Sequence, residues 1–334
     1  MLSGFVLCFL IAFFLAALSG KLAIPILRRI GIGQNILSYV SEHKKKQGTP
    51  TMGGIIFIIP AVVAYFISFG FDSAYGNFAG LIFIVFALIG FADDLIKVRF
   101  EKNEGLLPWQ KMIFLFAAAL VATVFLYLRN ATVDYIPFTT KRLEFGWLFI
   151  PLSVFTFLAT SNCVNLTDGL DGLAASVSAV YFLFNAILIV FEVKFFADNY
   201  VGGGEILRIA ALSLCVTAAL IGFLIYNVNV ATVFMGDTGS LALGGIAAYT
   251  MAASGNLLYI PLLGITFVVS GVSVILQVLH FKRTKKRIFL MAPLHHHFQH
   301  KGYSETKIVF CYVSVTIIMG LICLLAYVGG INVF

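Results

Sequence analysis

Long apolar stretches alternate with short polar ones along the whole chain. A membrane-spanning helix needs about 20 mostly apolar residues. Such runs fall at 3–27, 52–70, 78–92, 111–128, 146–160, 172–191, 205–226, 238–254, 258–280 and 306–328. The pattern therefore predicts about ten transmembrane helices. Several runs contain Gly or Pro, which membrane helices tolerate. The runs at 78–92 and 146–160 are short, so those helix ends lie within a few residues of the stated bounds. No internal repeat, low-complexity tract or long hydrophilic stretch interrupts the pattern, so residues 1–334 read as a single polytopic transmembrane domain.

Composition removes the soluble alternative. Of 334 residues, 60% are hydrophobic and only 11% charged, against about 25% charged in a soluble domain. A mean hydropathy of +1.01 cannot be hidden in a soluble core. The expected fold class is an all-α integral membrane protein. The first segment, MLSGFVLCFLIAFFLAALSG, lacks a basic leader, and its apolar run exceeds a signal core; it is expected to be a retained span. The five cysteines show no C-x-x-C spacing and mostly lie in apolar runs, where they act as small buried hydrophobes.

Charge supplies an orientation. Ten spans put both termini on one side. One set of loops then carries Arg28, Arg29, Lys44, Lys45, Lys46, Lys97, Arg99, Lys102, Lys282, Arg283, Lys285, Lys286, Arg287 and Lys301. The opposite set carries Arg129, Lys141, Arg142 and Lys194. The positive-inside rule places the first set in the cytoplasm and both termini outside. The net charge of +7 is then a property of basic loops beside anionic lipid, and no nucleic acid is implied.

The unusual polar residues collect on that same face. EHKKKQGTPTMGG (42–54), ADDLIK (92–97), SNCVNLTDGLDG (161–172), YNVNVATVFMGDTGS (226–240) and LHHHFQHKG (294–302) all fall there. Asp93, Asp94, Asp168, Asp171 and Asp237 are five carboxylates on one membrane face. A single acid at a helix end commonly caps it or faces water. Five acids, three of them beside Gly or Thr, fit better as hard oxygen ligands for Mg²⁺, which also takes substrate phosphate. Asp168 and Asp171 share a face if helical. Asp93 and Asp94 sit about 100° apart on a helix, which suits different jobs.

TDGLDGL, MGDTGSLALGG and GTPTMGG each place Gly, Thr or Asp just before an apolar run. Free N–H groups at such helix starts can bind phosphate, although Gly is also a packing residue in membrane helices. No P-loop occurs. His295, His296 and His297 follow Pro293. Without paired cysteines a zinc site is the weaker reading, and contact with phosphate or hydroxyl the stronger one. Lys46, Lys97 and Lys111 are candidates to neutralise phosphate, set against ordinary positive-inside charge. Phe234 and Gln277 are candidates for base stacking and base-edge reading, although their spacing equally fits core residues. Together these features suggest Mg²⁺-dependent work on phosphates at the inner membrane face, with one water-soluble substrate and one in lipid.

GTPTMGG, FADDLIK, NCVNLTDGLDGLA, VFMGDTGSLALGG and PLHHHFQ, in that order between residues 48 and 299, carry a resemblance. The chain resembles the bacterial phospho-N-acetylmuramoyl-pentapeptide transferases of the polyprenyl-phosphate N-acetylhexosamine-1-phosphate transferase superfamily. One departure is Gln299, where the family often has Glu. The resemblance implies a Mg²⁺-dependent multi-pass enzyme of the bacterial cytoplasmic membrane. Its substrates would be UDP-MurNAc-pentapeptide and undecaprenyl phosphate, its products a lipid-linked diphospho-MurNAc-pentapeptide and UMP, at the first membrane step of peptidoglycan synthesis. By resemblance, Asp93 meets the lipid phosphate, Asp237 holds the metal, and Asp94 lies close to it as a second ligand. Asn165, Asp168, Gly169, Leu170 and Asp171 resemble the nucleoside pocket, and Phe234 the uracil-stacking residue. Lys46, Thr51, Lys97, Lys111, Asn227 and Gln277 are further substrate contacts, and His295, His296 and His297 match the family's histidine motif. A homodimer and recognition by nucleoside antibiotics are further expectations of the resemblance. The alternatives are a UDP-GlcNAc or other UDP-HexNAc phosphotransferase and, from another class, a transporter with ion-coupling acids. Coupling acids normally lie at mid-membrane, whereas these gather at one edge.

Overall fold

The computed structural model describes residues 2–29, 48–100, 105–139, 141–196 and 203–329. Twelve helices dominate them: α1 (Leu2–Arg29), α2 (Ile55–Phe69), α3 (Ala74–Arg99), α4 (Pro108–Leu128), α5 (Phe149–Thr167), α6 (Leu173–Phe196), α7 (Gly203–Asn227), α8 (Gly236–Ala253), α9 (Ile260–Leu263), α10 (Ile265–Thr284), α11 (Leu294–His300) and α12 (Glu305–Gly329). Among the described residues, eight helices are long and apolar enough to cross a membrane: α1, α3, α4, α5 with the turn before it, α6, α7, α10 and α12. The chain is a multi-pass membrane protein.

Two expected spans fall short of that standard for different reasons. α2 is apolar but has only 15 residues. α8 has 18 residues and is rich in Gly, Ala and hydroxyl side chains. Every side chain from Thr238 to Ala253 is buried. A helix enclosed by other helices needs small residues rather than lipid-facing bulk. Gly90 of α3 shows how tight the enclosure is: a Cβ there would lie 2.1 Å from the Asp237 carbonyl oxygen.

The run at 258–280 divides into a 3-10 turn (Leu257–Tyr259), α9 and α10, with Gly264 at the break. The short third run becomes a 26-residue helix. It extends past the apolar residues because Asp93, Asp94 and Lys97 find partners inside the bundle. One feature lies outside the all-helical expectation: a two-stranded antiparallel hairpin, β1 (Val133–Tyr135) with β2 (Arg142–Glu144), registered Asp134 to Leu143. It joins α4 to α5 at the end opposite the acids. Asp134 accepts from Leu257 N and Leu258 N, each at 2.8 Å, and so fixes the turn before α9.

Candidate active site

Four helices bring polar side chains to one point, three of them charged ones. α3 supplies Asp93, Asp94 and Lys97, α4 supplies Lys111, α5 supplies Asn165, and the first turn of α8 supplies Asp237. Carboxylate oxygens of Asp93, Asp94 and Asp237 all lie within 4.8 Å of one another. Asp93 and Asp94 are each only 2% exposed, so the group needs internal compensation. Lys97 Nζ lies 2.6 Å from Asp93 Oδ2 and 3.0 Å from Asp237 Oδ2. Lys111 Nζ lies 2.5 Å from Asp237 Oδ2 and 3.9 Å from Asp93 Oδ2. Asn165 Nδ2 donates to Asp237 Oδ1 at 2.7 Å and to Ser240 Oγ at 2.8 Å.

The two adjacent acids face different partners, as their helical offset requires. Asp93 Oδ1 accepts from Leu106 N at 2.9 Å, and its other oxygen faces the lysines. Asp94 turns to the start of α8. Its Oδ1 accepts from Asp237 N at 3.1 Å, and its Oδ2 accepts from Thr238 N at 2.9 Å and Thr238 Oγ1 at 2.7 Å. A carboxylate on free N–H groups at a helix start is favoured by hydrogen bonding and by the helix dipole.

This geometry corrects one expectation. The helix starts at the glycine-rich strings do not leave their first N–H groups free for phosphate. Asp94 takes those of α8. At α2, Gly53 N donates to Phe234 O at 2.8 Å and Gly54 N to Met235 O at 2.9 Å, while Phe234 N donates to Pro50 O at 2.8 Å. At α6, Gly172 N donates to Asn227 Oδ1 at 3.2 Å. The donors are spent on tying loops together. The tie between residues 50–54 and 234–235 sets Phe234 beside Thr51, whose hydroxyl is buried without a hydrogen-bond partner among the described residues. A Cβ on Gly236 would lie 2.7 Å from that hydroxyl and 2.5 Å from Asp94 Oδ2. Gly236 also has φ +73°, a conformation suited to glycine.

Asp168 and Asp171 occupy the turn between α5 and α6 and not a helical face. Asp171 Oδ2 accepts from Ala231 N at 3.0 Å, and Asn227 Nδ2 donates to Val233 O at 2.9 Å. Loops 168–172 and 227–235 are thereby joined. Desolvation, followed by the charges of Asp237, Asp94 and Asp171, pushes the Asp168 carboxyl up to about 8. Leu170 is buried beneath this turn. Gly169 abuts the histidines: a Cβ there would lie 2.3 Å from His295 Nε2 and 3.0 Å from His296 Nε2. The structure thus brings α11 against the Asp168–Asp171 loop. Asn165, by contrast, belongs with Asp237.

His295 is fully buried, and neither ring nitrogen has a hydrogen-bond partner among the described residues. Burial, then the neighbouring His296, pulls its pKa down from 6.5 to about 3. His296 Nδ1 and Gln299 Oε1 are 3.0 Å apart, and Gln299 Nε2 donates to Glu305 Oε1 at 3.3 Å. His297 Nδ1 accepts from Leu290 N at 3.1 Å. Gln277 is committed to the same segment: its Oε1 accepts from Ile288 N at 3.1 Å and Phe289 N at 3.0 Å, and its Nε2 donates to Phe289 O at 3.2 Å. In this state Gln277 holds a loop. Lys46 lies outside the described residues, as do Lys44 and Lys45.

Thr238, Ser240, Gly90 and Leu106 were not singled out by sequence. The first two lie in the string GDTGS, at offsets from Asp237 that a helix start makes meaningful. For Gly90 and the Leu106 amide the sequence carries no comparable signal.

Comparison with known proteins places the chain in a family. The model of glycosyl transferase family 4 matches residues 77–255, and that of phospho-N-acetylmuramoyl-pentapeptide-transferase signature 1 matches residues 46–58. The Phospho-N-acetylmuramoyl-pentapeptide-transferase of Clostridium novyi (strain NT) is 41% identical over 322 residues, covering 96% of this chain and 95% of that protein. The chain belongs to the phospho-N-acetylmuramoyl-pentapeptide-transferase family. The proteins of the same name from Clostridium perfringens (strain 13 / Type A) and Caldanaerobacter subterraneus subsp. tengcongensis are 42% and 41% identical, over 96% and 95% of this chain. The matched stretch 77–255 contains every acid of the site, and the signature contains Thr51 and the glycines tied to Phe234 and Met235.

Proposed function

We propose that the chain transfers phospho-MurNAc-pentapeptide from UDP-MurNAc-pentapeptide to undecaprenyl phosphate, releasing UMP, in the bacterial cytoplasmic membrane. The observation that carries this reading is the meeting of three carboxylates and two lysines from α3, α4 and α8 at one point, in a chain of this family. In this reading α2 and α8 complete ten crossings. The site then faces the cytoplasm, where the nucleotide donor is available, and both termini lie outside. Nucleoside antibiotics and a homodimeric assembly belong to the same reading.

The donor set is all oxygen, which suits Mg²⁺. Asp237 and Asp94 would hold it, with Asp93 in the same cluster. When bound, the ion would supply positive charge to the diphosphate oxygens. Asp94 also keeps the start of α8, and with it Asp237, in place. Asn165 orients the Asp237 carboxylate. Lys97 and Lys111, now paired with the acids, are the nearest cations for phosphate oxygens among the described residues.

An acceptor phosphate oxygen attacks the β-phosphorus of the donor, and UMP leaves. A phosphate monoester with its second pKa near 6 is already largely dianionic at neutral pH. Asp93 sits 2.6 Å from Lys97 Nζ, so its carboxylate is already engaged with an amine. Its role is to position the acceptor, together with the lysines. The competing scheme makes an Asp the nucleophile. It predicts exchange of labelled UMP into the donor without lipid acceptor; direct attack predicts none. The loops around Thr51, Phe234 and Asp168–Asp171 form the nucleoside side of the site, and α11 packs against them.

The test is purified protein with UDP-MurNAc-pentapeptide, a polyprenyl phosphate and Mg²⁺, scored for UMP release and lipid-linked product. Product from UDP-GlcNAc in preference to the muramoyl donor would move the chain to another branch. No product from any UDP-sugar would end the transferase reading.

A further inference from the structure

Asp93 is gripped from outside its own helix. Its Oδ1 accepts from Leu106 N at 2.9 Å, thirteen residues further along the chain, while Oδ2 faces Lys97 and Lys111. Leu106 stands in the turn just before α4. Its neighbour Gly105 lies against the same acid. A Cβ on Gly105 would meet Asp93 Oδ1 at 2.6 Å, Cγ at 2.7 Å and the backbone oxygen at 2.8 Å. A side chain there must displace the carboxylate, and rotating Asp93 gives no relief, because its carbonyl is crowded too.

The turn has little apolar burial to anchor it: Leu107 is 49% exposed and Trp109 59%. Its other bonds are local. Leu107 N donates to Gln110 Oε1 at 3.1 Å, and Lys111 N donates to Leu107 O at 3.1 Å. Those bonds fix the first turn of α4, which carries Lys111, to the same backbone that grips Asp93. One amide therefore registers two site groups against each other, the Asp93 carboxylate on α3 and the Lys111 amine on α4. A backbone N–H suits this task. It cannot swing away as a side chain can, and a hydrogen bond to an ionised acceptor is about twice as strong as one between neutral groups.

We infer that the Gly105–Leu106 peptide group is a positioning element for the transfer reaction. Its N–H holds Asp93 Oδ1, so that Oδ2 and the two lysines face the acceptor phosphate in one fixed arrangement. The inference rests on the transferase reading above and adds the residues that aim Asp93. Gly105 acts by leaving room for the carboxylate, and Leu106 by its main chain. Neither is assigned a contact with substrate, and the Leu106 side chain is assigned no part.

The test uses the detergent-purified full chain, in which Leu106→Pro removes the N–H and Leu106→Ala keeps it. In steady state, Leu106→Pro should lower kcat about a hundredfold, the scale of a misplacement of about 1 Å, and raise KM for the polyprenyl phosphate about tenfold. KM for the nucleotide donor should stay within about twofold of wild type. Leu106→Ala should restore most of both losses. Gly105→Ala, which crowds the carboxylate, should act in the same direction as Leu106→Pro. A merely structural turn would lower the folded fraction and leave both KM values alone. Unchanged acceptor KM in Leu106→Pro at a wild-type melting temperature overturns the inference, as does equal damage from Leu106→Ala. Where Leu106→Pro does not purify folded, Gly105→Ala decides by the same readouts. Hydrogen exchange tests the contact without turnover. Exchange at the Leu106 amide should be about tenfold faster in Asp93→Ala than in wild type, and equal rates overturn the inference. Absence of transfer by the wild-type protein would sink the transferase reading, while the exchange rates would still report whether this amide holds Asp93.

Discussion

The molecule buries acids at both ends, and the two ends treat them differently. At the hairpin end, Asp134 gives its two oxygens to Leu257 N and Leu258 N. Asn256 Nδ2 donates to Glu192 Oε2 at 2.7 Å, and Tyr327 Oη donates to Asn256 Oδ1 at 2.9 Å. Amides and hydroxyls answer the acids there through fixed hydrogen bonds. At the other end, three carboxylates share two lysine ammonium groups, and a histidine and a threonine stay buried without hydrogen-bond partners among the described residues. Backbone N–H groups cannot move away to admit a ligand, whereas lysine amines can. A carboxylate held by backbone amides stays where the fold puts it; one held by lysine amines can trade its partner for a ligand.

The largest expected effect tests the exchangeable end. Asp237→Asn should lower transfer by about a thousandfold or more while the protein still purifies folded; substantial Mg²⁺-dependent turnover in that variant contradicts its assignment. In the same vein, Mg²⁺ should raise the melting temperature of the wild type and leave that of Asp237→Asn unchanged. At the hairpin end, Asp134→Ala should cost about 3 kcal/mol of stability by stranding the Leu257 and Leu258 N–H groups, with the KM of either substrate unchanged. Asn256→Ala should cost about 2 kcal/mol and likewise leave KM alone. A shift in donor KM with either variant would blur the distinction between the ends.

The smallest expected effect concerns His295. Its folded pKa, about 3, is depressed below the ordinary 6.5. The unfolded chain therefore takes up the proton first, and stability falls as pH drops below about 6.5. By about pH 5.5 the loss from this one group is about 1.4 kcal/mol. His295→Phe should flatten that part of the melting-temperature profile between pH 7 and 5.5. An unchanged slope would mean that the ring is not buried neutral.

Much of this was legible in the residue string. The apolar runs locate the main helices, because lipid demands length and hydrophobicity together. The acids could be grouped on one face by counting spans. Hidden from that reading was how donors are consumed. The strings around Gly53, Gly172 and Gly236 look like open phosphate cradles until the backbone shows Phe234 O, Asn227 Oδ1 and Asp94 filling them. Asp168 and Asp171 looked like a helical pair, and only the turn after Thr167 reveals otherwise. Gln277 has the spacing of a core residue and turns out to pin a distant stretch of backbone.

Gly90 gives the reactive centre its scale. It lies one turn before Asp94 on α3 and presses against the Asp237 carbonyl on α8. Even a methyl group there would wedge the two acid-bearing helices apart and lengthen the distances from Asp237 to both Asp93 and Asp94. A hydrogen atom, bearing no charge and touching no substrate, is the gauge block against which this catalytic chamber is machined.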